Sequence, residues 1–590
     1  MKNSRLRLTV IPLITGIVLY LVYGYSLQSR LTFGIYTALA LSSISCLVIF
    51  VKRTLSLGGA FLVFMLTYLG VYLFSLALGL NTSWFDFVKG VDFSVISFSL
   101  CAFLFASAKG IKSFALRILL LPLSCLVLFL AVLLPSLLYC YYLATGSLIS
   151  SDIIIALAQT NPREGMEFFE SNVNFRWALS FAGLILLYLA NVFRFLKISE
   201  LSDRLSSFRL SYLATLLICV VLALPRMDYL PFSIIKVTSS QLDNFALYKE
   251  AKAKRLEALK ELSDLRLSAD SDPKGNLYVL VVGESETSMR MQAYGFEREN
   301  TPNLVRALEN SNNILFKNAI SSWPQTVQAL SYALTEDNQY HEAKKEKAFS
   351  LVEVARAAGF ETYWLSNQRK YGVYETPVTV ISSTAEHEIW VNGSSKMEGV
   401  FFDEEIIIRF PKLDEHKNIL LIVHLMGSHQ KYEKRLPSDY LRFQGQDENN
   451  DYYDDTVLYT DKIVKDIYDK VSSLSNFKGM VYFSDHGEDP HVVGGHDPVN
   501  VNLQMLKIPM VVYLSDSLVA ERQYLKDALC ANQDRFFSND LVFELMIKLM
   551  GVEGLPVYDE SYCIASKSYG LNEDNVLTMY GKEHIKAFYK

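Results

Sequence analysis

The chain has 590 residues, 51% of them hydrophobic, and a mean hydropathy of +0.19, which is too apolar for an ordinary soluble enzyme. The formal net charge is -6 without a basic tract, which argues against a nucleic-acid-binding protein. The mean hydropathy averages over two different parts of the chain. Long apolar stretches end at residue 226, and charged residues then reach the density of a globular domain. The sequence therefore predicts a transmembrane domain over residues 1–226 and a soluble region after it.

The membrane region contains apolar stretches long enough to cross a hydrocarbon core of about 30 Å as helices. Five are long, at 8–27, 31–51, 57–80, 117–143 and 177–194, and two are shorter, at 93–108 and 211–224. The first is interpreted as a retained helix rather than a signal peptide, because no small-residue cleavage site follows it. An α-helical domain of about seven spans is predicted, and the number of spans stays open.

The orientation follows from lysine and arginine, which are enriched in cytoplasmic loops. Basic residues within 2–7 place the N-terminus inside the cell. With seven spans, the basic clusters at 52–53, 109–112 and 194–209 also fall in cytoplasmic loops. Because an odd number of spans separates the two ends, the soluble region is predicted to lie outside the cytoplasm.

Residues 227–272 are predicted to be a linker that contains an amphipathic helix. Within 239–265, leucines recur every three residues from 256 to 265 among lysine and glutamate. This helix either lies on the membrane surface or packs against its own domain, and both interpretations stay open.

Residues 273–590 read as an α/β domain with a largely parallel sheet. Short apolar runs typical of buried strands occur at 276–282, 361–365, 418–424, 478–484 and 508–514. Helical patterns at 350–358 and 454–474 lie between them. Strands that alternate with helices in this way predict parallel pairing.

Reactive side chains follow the ends of the predicted strands, where open α/β sheets bind their ligands. Glu284 follows the first strand, His429 the third, and Asp485-His486 the fourth, and five of the nine histidines lie within 424–496. A lone glutamate or histidine at a strand end is often structural, whereas Asp-His-Gly on a tight turn has little structural reason to occur. Carboxylate and imidazole ligands suit Zn²⁺, with Mn²⁺ as an alternative, and predict a metal-dependent hydrolase or transferase.

Motifs at these positions resemble the phosphoethanolamine transferases of the sulfatase/alkaline-phosphatase superfamily. They are V-V-G-E-S at 281–285, Y-G-F-E-R-E-N-T-P-N-L at 294–304, H-L-M-G-S-H at 424–429, Y-D-D-T-V-L-Y-T-D at 453–461 and Y-F-S-D-H-G-E at 482–488. The resemblance covers most of the chain from residue 154 onward. It implies a multi-pass protein of a bacterial inner membrane whose catalytic domain, at 273–590, is periplasmic and sulfatase-like.

The resemblance also implies a zinc site made by Glu284, Thr326, Asp485 and His486, with Thr326 as the covalent nucleophile. Thr326 lies 42 positions after Glu284, before a predicted helix at 327–334. A helix N-terminus favours an anionic phosphate group, which agrees with that role. The alternative is that Thr326 only caps the helix.

Two further histidines of the family, which face the phosphate or a second metal ion, match His429 and His496. They would stabilise charge on the phosphoryl oxygens or protonate the leaving alcohol. The segment around His496 departs from the family pattern, and His491 stands nearby. The number of metal ions and the roles of His424 and His491 stay open.

The cysteines depart from the family pattern in one place. Many members staple the nucleophile loop with disulfides, whereas this loop contains no cysteine. Cys530 and Cys563 match positions near the C-terminus that are bridged in relatives, so the resemblance implies a disulfide there, which an oxidising compartment permits.

The implied reaction moves phosphoethanolamine from phosphatidylethanolamine to Thr326 and then to an envelope acceptor. The acceptor is lipid A, a core sugar, a glucan or a protein, and the sequence does not identify it. A phosphoglycerol transferase resembling lipoteichoic acid synthase is the main alternative. A sulfatase is disfavoured because the C/S-x-P-x-R signature is absent, and a transporter because only Asp92 interrupts the apolar spans.

Overall fold

A computed structural model describes 113–145, 175–196, parts of 62–105 and 239–267, and 275–589 apart from 342–346, 369–375, 392–401, 444–447 and 493–494. The chain divides into two compact units. The first contains residues 113–145 and 175–196, and the second contains everything described after residue 239.

The first unit contains two long helices, α1 (Phe114–Thr145) and α2 (Phe175–Leu196). They contact each other, since the hydroxyl of Tyr188 donates to the carbonyl oxygen of Cys125 at 3.1 Å. The same ring packs edge-on against Phe129, with 5.5 Å between the ring centroids. The predicted spans at 117–143 and 177–194 are therefore helical.

The described residues include one helix segment, Phe114–Val132, that is long and apolar enough to cross a membrane, with a mean hydropathy of 2.5. Leu119 of α1 and Leu186 of α2 are each 67% exposed, and exposed apolar surface of this kind marks contact with lipid or protein. The other predicted spans lie wholly or mostly outside the described residues, at 8–27, 31–51, 57–80, 93–108 and 211–224. The number of spans remains a prediction.

The second unit is an α/β domain. Its helices are α3 (Lys252–Glu261), α4 (Pro302–Ala307), α5 (Thr326–Ala333), α6 (Leu351–Ala357), α7 (Pro377–Ser382), α8 (Glu404–Ile408), α9 (Glu448–Ser472), α10 (Leu503–Leu506), α11 (Asp516–Glu521), α12 (Gln523–Asn532) and α13 (Val542–Met550). Its strands are β1 (Arg266–Leu267), β2 (Leu277–Gly283), β3 (Asn313–Leu315), β4 (Asn318–Ile320), β5 (Glu361–Ser366), β6 (His387–Trp390), β7 (Ile419–His424), β8 (Phe477–Ser484), β9 (Met510–Leu514), β10 (Phe536–Ser538), β11 (Val552–Glu553), β12 (Leu577–Thr578) and β13 (Glu583–His584).

Among the described residues, seven strands form the main sheet in the order β3-β9-β8-β2-β7-β5-β6. Strands β8, β2, β7 and β5 are parallel, as predicted, and the additional strand β6 is parallel to β5. The predicted run at 508–514 forms β9, which instead runs antiparallel to both β8 and β3, so the sheet is mixed. Alternate residues of β2 enter different cores, with Leu280 and Val282 on one face and Val279 and Val281 on the other. Because both faces are buried, the strand is apolar at every position.

The register of the central strands places their carboxyl ends side by side. Val282 of β2 lies opposite His424 of β7, and Gly283 lies opposite Ser484 of β8. Ser366, the last residue of β5, also pairs with His424. The segments that follow these four strands therefore begin at one edge of the sheet.

Helix α3 of the predicted linker packs against the second unit. Arg255, which is only 2% exposed, forms an ion pair with the buried Glu353, with 3.1 Å between Nη2 and Oε1. Its Nη1 donates to the carbonyl oxygen of Tyr248 at 2.7 Å. Lys252 adds a bond from Nζ to the carbonyl oxygen of Ser383 at 2.8 Å. These contacts agree with a helix that packs against its own domain.

Arg255→Ala is expected to lower the free energy of unfolding by roughly 3–5 kcal/mol, because it leaves the buried Glu353 carboxylate without its partner. Urea unfolding of the full chain in detergent, followed by tryptophan fluorescence, measures the change. Lys254→Ala removes an exposed charge from the same helix and is expected to cost less than about 0.5 kcal/mol. Equal unfolding of the two variants would contradict a stabilising role for the ion pair.

The disulfide implied between Cys530 and Cys563 is not formed, and that prediction was wrong. In the described part of the chain both residues are free thiols. Cys563 is buried and its Sγ lies 3.6 Å from the carbonyl oxygen of Glu544, a hydrogen-bonding position within the core. Cys530, on α12, packs against the same core as a partly buried side chain. An oxidising compartment permits a bridge but does not bring two thiols together.

Candidate metal centre and active site

The candidate site begins where β2 ends, at Glu284. The next residue, Ser285, has a φ of +58°, a left-handed conformation that is costly for a residue with a side chain. In this conformation the amide of Ser285 donates to Oδ1 of Asp485 at 3.0 Å. The turn after β2 is thereby tied to the turn after β8.

Glu284, Asp485 and His486 each offer one ligand atom, and these three atoms lie within 4.8 Å of one another. Nε2 of His486 is 3.5 Å from Oε1 of Glu284 and 3.4 Å from Oδ2 of Asp485. All three side chains are buried. Burial, followed by the neighbouring Asp485 carboxylate, raises the pKa of Glu284 well above its ordinary value. A cation bound between the two carboxylates would stabilise the ionised form of Glu284.

The oxygen Oδ2 of Asp485 fits a metal ion because it has no hydrogen-bond partner among the residues that the structure describes. A buried carboxylate oxygen without a partner is costly, and metal coordination is one way to satisfy it. One nitrogen and carboxylate oxygens are the donor set that Zn²⁺ accepts, and Mn²⁺ tolerates it.

The imidazole of His486 is oriented for a ligand role. Its Nδ1 lies 2.9 Å from the carbonyl oxygen of Gly487, so Nδ1 carries the proton and donates it there. The lone pair of Nε2 is then directed toward Glu284 and Asp485. A hydrogen bond of this kind fixes the tautomer of metal-binding histidines in general.

Thr326 is the first residue of α5, and its hydroxyl lies among the candidate ligands. Oγ1 donates to the Glu284 carboxylate, with 3.1 and 3.2 Å to the two oxygens, and is 3.4 Å from Nε2 of His486. The N-cap position belongs to Gln325, which makes no side-chain capping bond within the described range. The alternative that Thr326 only caps the helix is therefore wrong.

His496 lies beside this group. Its Nδ1 is 2.6 Å from Oε2 of Glu488, and its ring centroid is 5.0 Å from that of His486. Glu488 is held in turn by the hydroxyl of Tyr432 at 2.7 Å. Burial alone would lower the pKa of His496, but the Glu488 carboxylate outweighs it and raises the pKa above the ordinary value. The imidazolium form of His496 is therefore more stable than that of an unperturbed histidine.

His429 has the opposite electrostatics. Burial, then the charges of Arg435 and His496, hold its pKa well below the usual range, so its ring is neutral. Its Nδ1 is buried and has no hydrogen-bond partner among the residues described. This difference suits His496 to donate a proton and His429 to act as a neutral hydrogen-bonding group.

A second group, His486, Glu488 and His496, also has ligand atoms close enough to hold a metal ion. It shares His486 with the first group, and Nδ1 of that ring already donates to Gly487. Nε2 of His486 can therefore bind in only one of the two groups at a time. Glu488 also holds His496 and Tyr432, which is the arrangement of a residue that orients a histidine.

The remaining histidines of the cluster differ from each other. His424 is buried, lies edge-on to Trp364 at 6.1 Å, and has neither ring nitrogen hydrogen-bonded within the described residues. Burial lowers its pKa to about 4, so it stays neutral beside Asp485. His491 lies farther out, with Nδ1 3.0 Å from Nδ2 of Asn450.

Sequence reasoning missed two residues that hold the site together. Gln368 donates from Nε2 to Oε2 of Glu284 at 3.1 Å and to the carbonyl oxygen of Leu425 at 2.8 Å. The buried Asp403 accepts from the amides of Met426 and Gly427, each at 2.9 Å, in the loop that leads to His429. Gln368 follows the end of β5, so a search for polar residues after the carboxyl ends of strands could have identified it. No sequence signal marks Asp403.

Residues 276–552 match the Sulfatase family model. Phosphoethanolamine transferase EptC of Escherichia coli O18:K1:H7 is 30% identical over 280 residues, which are 44% of this chain and 48% of that protein. Phosphoethanolamine transferase CptA of Salmonella typhimurium is 26% identical over 318 residues, 50% of this chain and 54% of that protein. The chain thus spans about half the length of the curated relatives it matches.

One solved structure matches over more of the chain. It is the integral membrane protein lipooligosaccharide phosphoethanolamine transferase A from Neisseria meningitidis, with a TM-score of 0.56. The match covers 87% of this chain and 98% of that one at 18% sequence identity. At this identity, the likeness establishes a shared fold.

Proposed function

We propose that the chain is a phosphoethanolamine transferase of the sulfatase superfamily, and that it transfers phosphoethanolamine from phosphatidylethanolamine to an envelope acceptor. The observation that carries the proposal is the position of Thr326. Its hydroxyl lies 3.1 Å from Glu284 and 3.4 Å from His486, within the candidate metal ligands. A hydroxyl in that place suits a nucleophile, since a structural threonine has no need of metal ligands around it.

Zn²⁺ held by Glu284, Asp485 and His486, and contacted by Thr326, would supply positive charge that favours the alkoxide form of the hydroxyl. Thr326 then attacks the phosphorus of the donor lipid in line. The bond from phosphorus to the diacylglycerol oxygen breaks, and phosphoethanolamine remains on Thr326. An acceptor hydroxyl attacks the same phosphorus in the second step and releases Thr326.

The two histidines, His496 and His429, have different roles in this proposal. His496, held by Glu488, protonates the departing diacylglycerol oxygen and later takes the proton of the acceptor hydroxyl. His429, buried and neutral, contributes hydrogen bonding to the phosphoryl oxygens. Gln368 and Asp403 keep Glu284 and the loop before His429 in place.

The protein is further proposed to be a multi-pass inner-membrane enzyme of about seven spans, with residues 273–590 in the periplasm. The distribution of lysine and arginine in the connecting loops supports this orientation. The acceptor is lipid A or another envelope glycan or protein. A phosphoglycerol transferase that uses phosphatidylglycerol remains the second candidate, since the same nucleophile and ligands would serve it.

Headgroup consumption by the purified full chain tests the proposal. Without an acceptor each enzyme molecule cleaves one donor lipid, so the protein is used in an amount comparable to the lipid. Vesicles containing equal amounts of phosphatidylethanolamine and phosphatidylglycerol are then expected to lose phosphatidylethanolamine and to gain diacylglycerol. Loss of phosphatidylglycerol instead would favour the second candidate, and loss of neither lipid would contradict both. Mass spectrometry of envelope fractions from cells with and without the gene would then identify the acceptor.

A further inference from the structure

The loop before the nucleophile, Ser321–Gln325, is held without a covalent staple. It connects β4 to α5 and contains no cysteine. Ser321 and Ser322 are fully buried, and Trp323 is nearly so. The position of Thr326 relative to the candidate metal ligands therefore depends on noncovalent contacts made by this loop.

Asn539 makes the central contacts. Its Oδ1 accepts from the amide of Ser322 at 2.9 Å, and its Nδ2 donates to the carbonyl oxygen of Asp485 at 2.6 Å. Nδ2 also lies 3.2 Å from Oγ of Ser321. The side chain is fully buried. One amide thus bridges the nucleophile loop and the main chain of a candidate metal ligand.

Ser321 reinforces the same connection. Its Oγ lies 2.7 Å from the carbonyl oxygen of Asp485 and 2.6 Å from that of Trp323. Without the Asn539 amide, the N–H of Ser322 would lose a buried partner and the carbonyl oxygen of Asp485 would keep only Ser321. An unpaired buried group costs about 1–3 kcal/mol, so the loop would move to satisfy it.

Strands β12 and β13 pair antiparallel and form a hairpin, and residues of this hairpin also contact the loop Ser321–Gln325. Thr578 donates to the carbonyl oxygen of Ser321 at 2.8 Å, and the amide of Tyr580 donates to that of Ser322 at 3.2 Å. The ring of Tyr580 stacks on Trp323, with 4.4 Å between the centroids. Met579 and Tyr580 are both left-handed, with φ of 53° and 58°. Such strain persists where surrounding contacts fix the backbone.

We propose that Asn539 is a positioning residue for the transfer reaction, which sets the separation between the Thr326 hydroxyl and the candidate metal ligands. This inference rests on the proposed function. A misplacement of about 1 Å at a reacting atom can cost on the order of 100-fold in rate. Asn539 does not touch the hydroxyl itself, so it acts through Ser322 and Asp485.

Two variants test this role in the full-length protein. Asn539→Ala is expected to lower kcat for phosphatidylethanolamine turnover by about 100-fold and to leave KM within about twofold, because donor contacts are unchanged. Asn539→Asp keeps the shape and the acceptor for Ser322 but loses the donor to Asp485, and it is expected to lose kcat likewise. The second variant keeps the test decisive if the first does not fold.

Asn532→Ala is the matched control. Asn532 is also a buried amide, and its Nδ2 donates to the carbonyl oxygens of Ile564 and Ser566 at 2.9 Å each. Its loss is expected to lower thermal stability but not kcat. If the Asn532 and Asn539 variants lose kcat equally, or if the Asn539 variants keep it, the positioning role is overturned.

Failure of the inference and failure of the proposed function are distinguishable. If the wild-type protein turns over phosphatidylethanolamine and the Asn539 variants do so equally, only the inference fails. If the wild-type protein turns over no lipid, the proposed function fails, and crystal structures of the wild type and Asn539→Asp decide the inference. An unchanged separation between Thr326 Oγ1 and Glu284 would then overturn it, and a displacement of about 1 Å would support it.

Discussion

Thr326→Ala is expected to abolish phosphoethanolamine transfer while leaving the protein folded. The hydroxyl lies 3.1 and 3.2 Å from the Glu284 oxygens and 3.4 Å from His486. Removing a nucleophile that acts together with other groups typically costs 10⁴-fold or more in turnover, on the order of the losses seen in serine proteases. The helix loses no cap, because Gln325 occupies that position, so the stability cost is expected to stay below about 1 kcal/mol.

The covalent intermediate gives the more direct measurement. Wild-type protein incubated with donor lipid and no acceptor is expected to gain one phosphoethanolamine on the peptide that contains Thr326, by tandem mass spectrometry. Thr326→Ser, which keeps a hydroxyl, is expected to retain measurable turnover. The adduct is expected to be absent from Thr326→Ala.

Ser331→Ala is a suitable control for these measurements. Ser331 lies on the same helix, α5, and its hydroxyl donates only locally, to the carbonyl oxygen of Gln328 at 2.8 Å. Its loss is expected to leave turnover and the adduct unchanged. An active Thr326→Ala variant, or an adduct mapped to Ser285 or Ser322 instead, would show that another hydroxyl is the nucleophile.

The central sheet was predictable because its strands are buried on both faces. Each of the predicted runs, such as 276–282 and 478–484, overlaps a strand of the sheet. The edge strands β3 and β6 were not predicted. β3 has only three residues, and β6 reads His-Glu-Ile-Trp, in which the polar half hides the apolar pattern. Short edge strands carry little sequence signal because tertiary contacts decide them.

The site was predictable where chemistry and strand ends coincide. Glu284, Asp485 and His486 follow β2 and β8, and the sheet register brings them together. Thr326 was placed by resemblance, since its distance from Glu284 along the chain carries no geometry by itself. Gln368 could have been listed as a residue after the end of β5, but its contact with Glu284 was not predictable, because the two lie 84 positions apart. The contact of Asn539 with Asp485, across 54 positions, was not predictable either. Polar side chains in loops show no sequence periodicity from which their contacts could be predicted.

Asp485→Asn is expected to remove the metal ion without unfolding the protein. The two carboxylate oxygens have separate contacts. Oδ1 accepts from the amides of Ser285 at 3.0 Å and His486 at 2.7 Å, whereas Oδ2 has no hydrogen-bond partner in the described residues. Asparagine can keep Oδ1 in place, but its amide group then replaces Oδ2, and an amide nitrogen does not bind Zn²⁺. If the asparagine side chain flips instead, its NH₂ group faces the N–H donors of Ser285 and His486, which costs about 1–3 kcal/mol.

The expected result is a loss of metal affinity by at least about 100-fold, since even partners outside the ligand shell change affinity by 10–100-fold. Elemental analysis of the full chain after dialysis measures zinc per polypeptide, and lipid turnover is followed in parallel. Chelation of the wild-type protein is expected to stop turnover, and added Zn²⁺ to restore it, with Mn²⁺ tested beside it.

Asp461→Asn separates metal loss from the general effect of neutralising a buried carboxylate. Asp461 accepts from the amides of Asn303 and Leu304 at 2.8 Å each and makes no contact with the candidate ligands in the residues described. Asp461 and Asp485 are both buried carboxylates, but the oxygens of Asp461 are already satisfied by these amides. Its variant is expected to lose stability but to keep zinc. Equal zinc content in the Asp485 and Asp461 variants would show that Oδ2 of Asp485 is not a metal ligand, and the metal centre would then have to be sought at His486, Glu488 and His496.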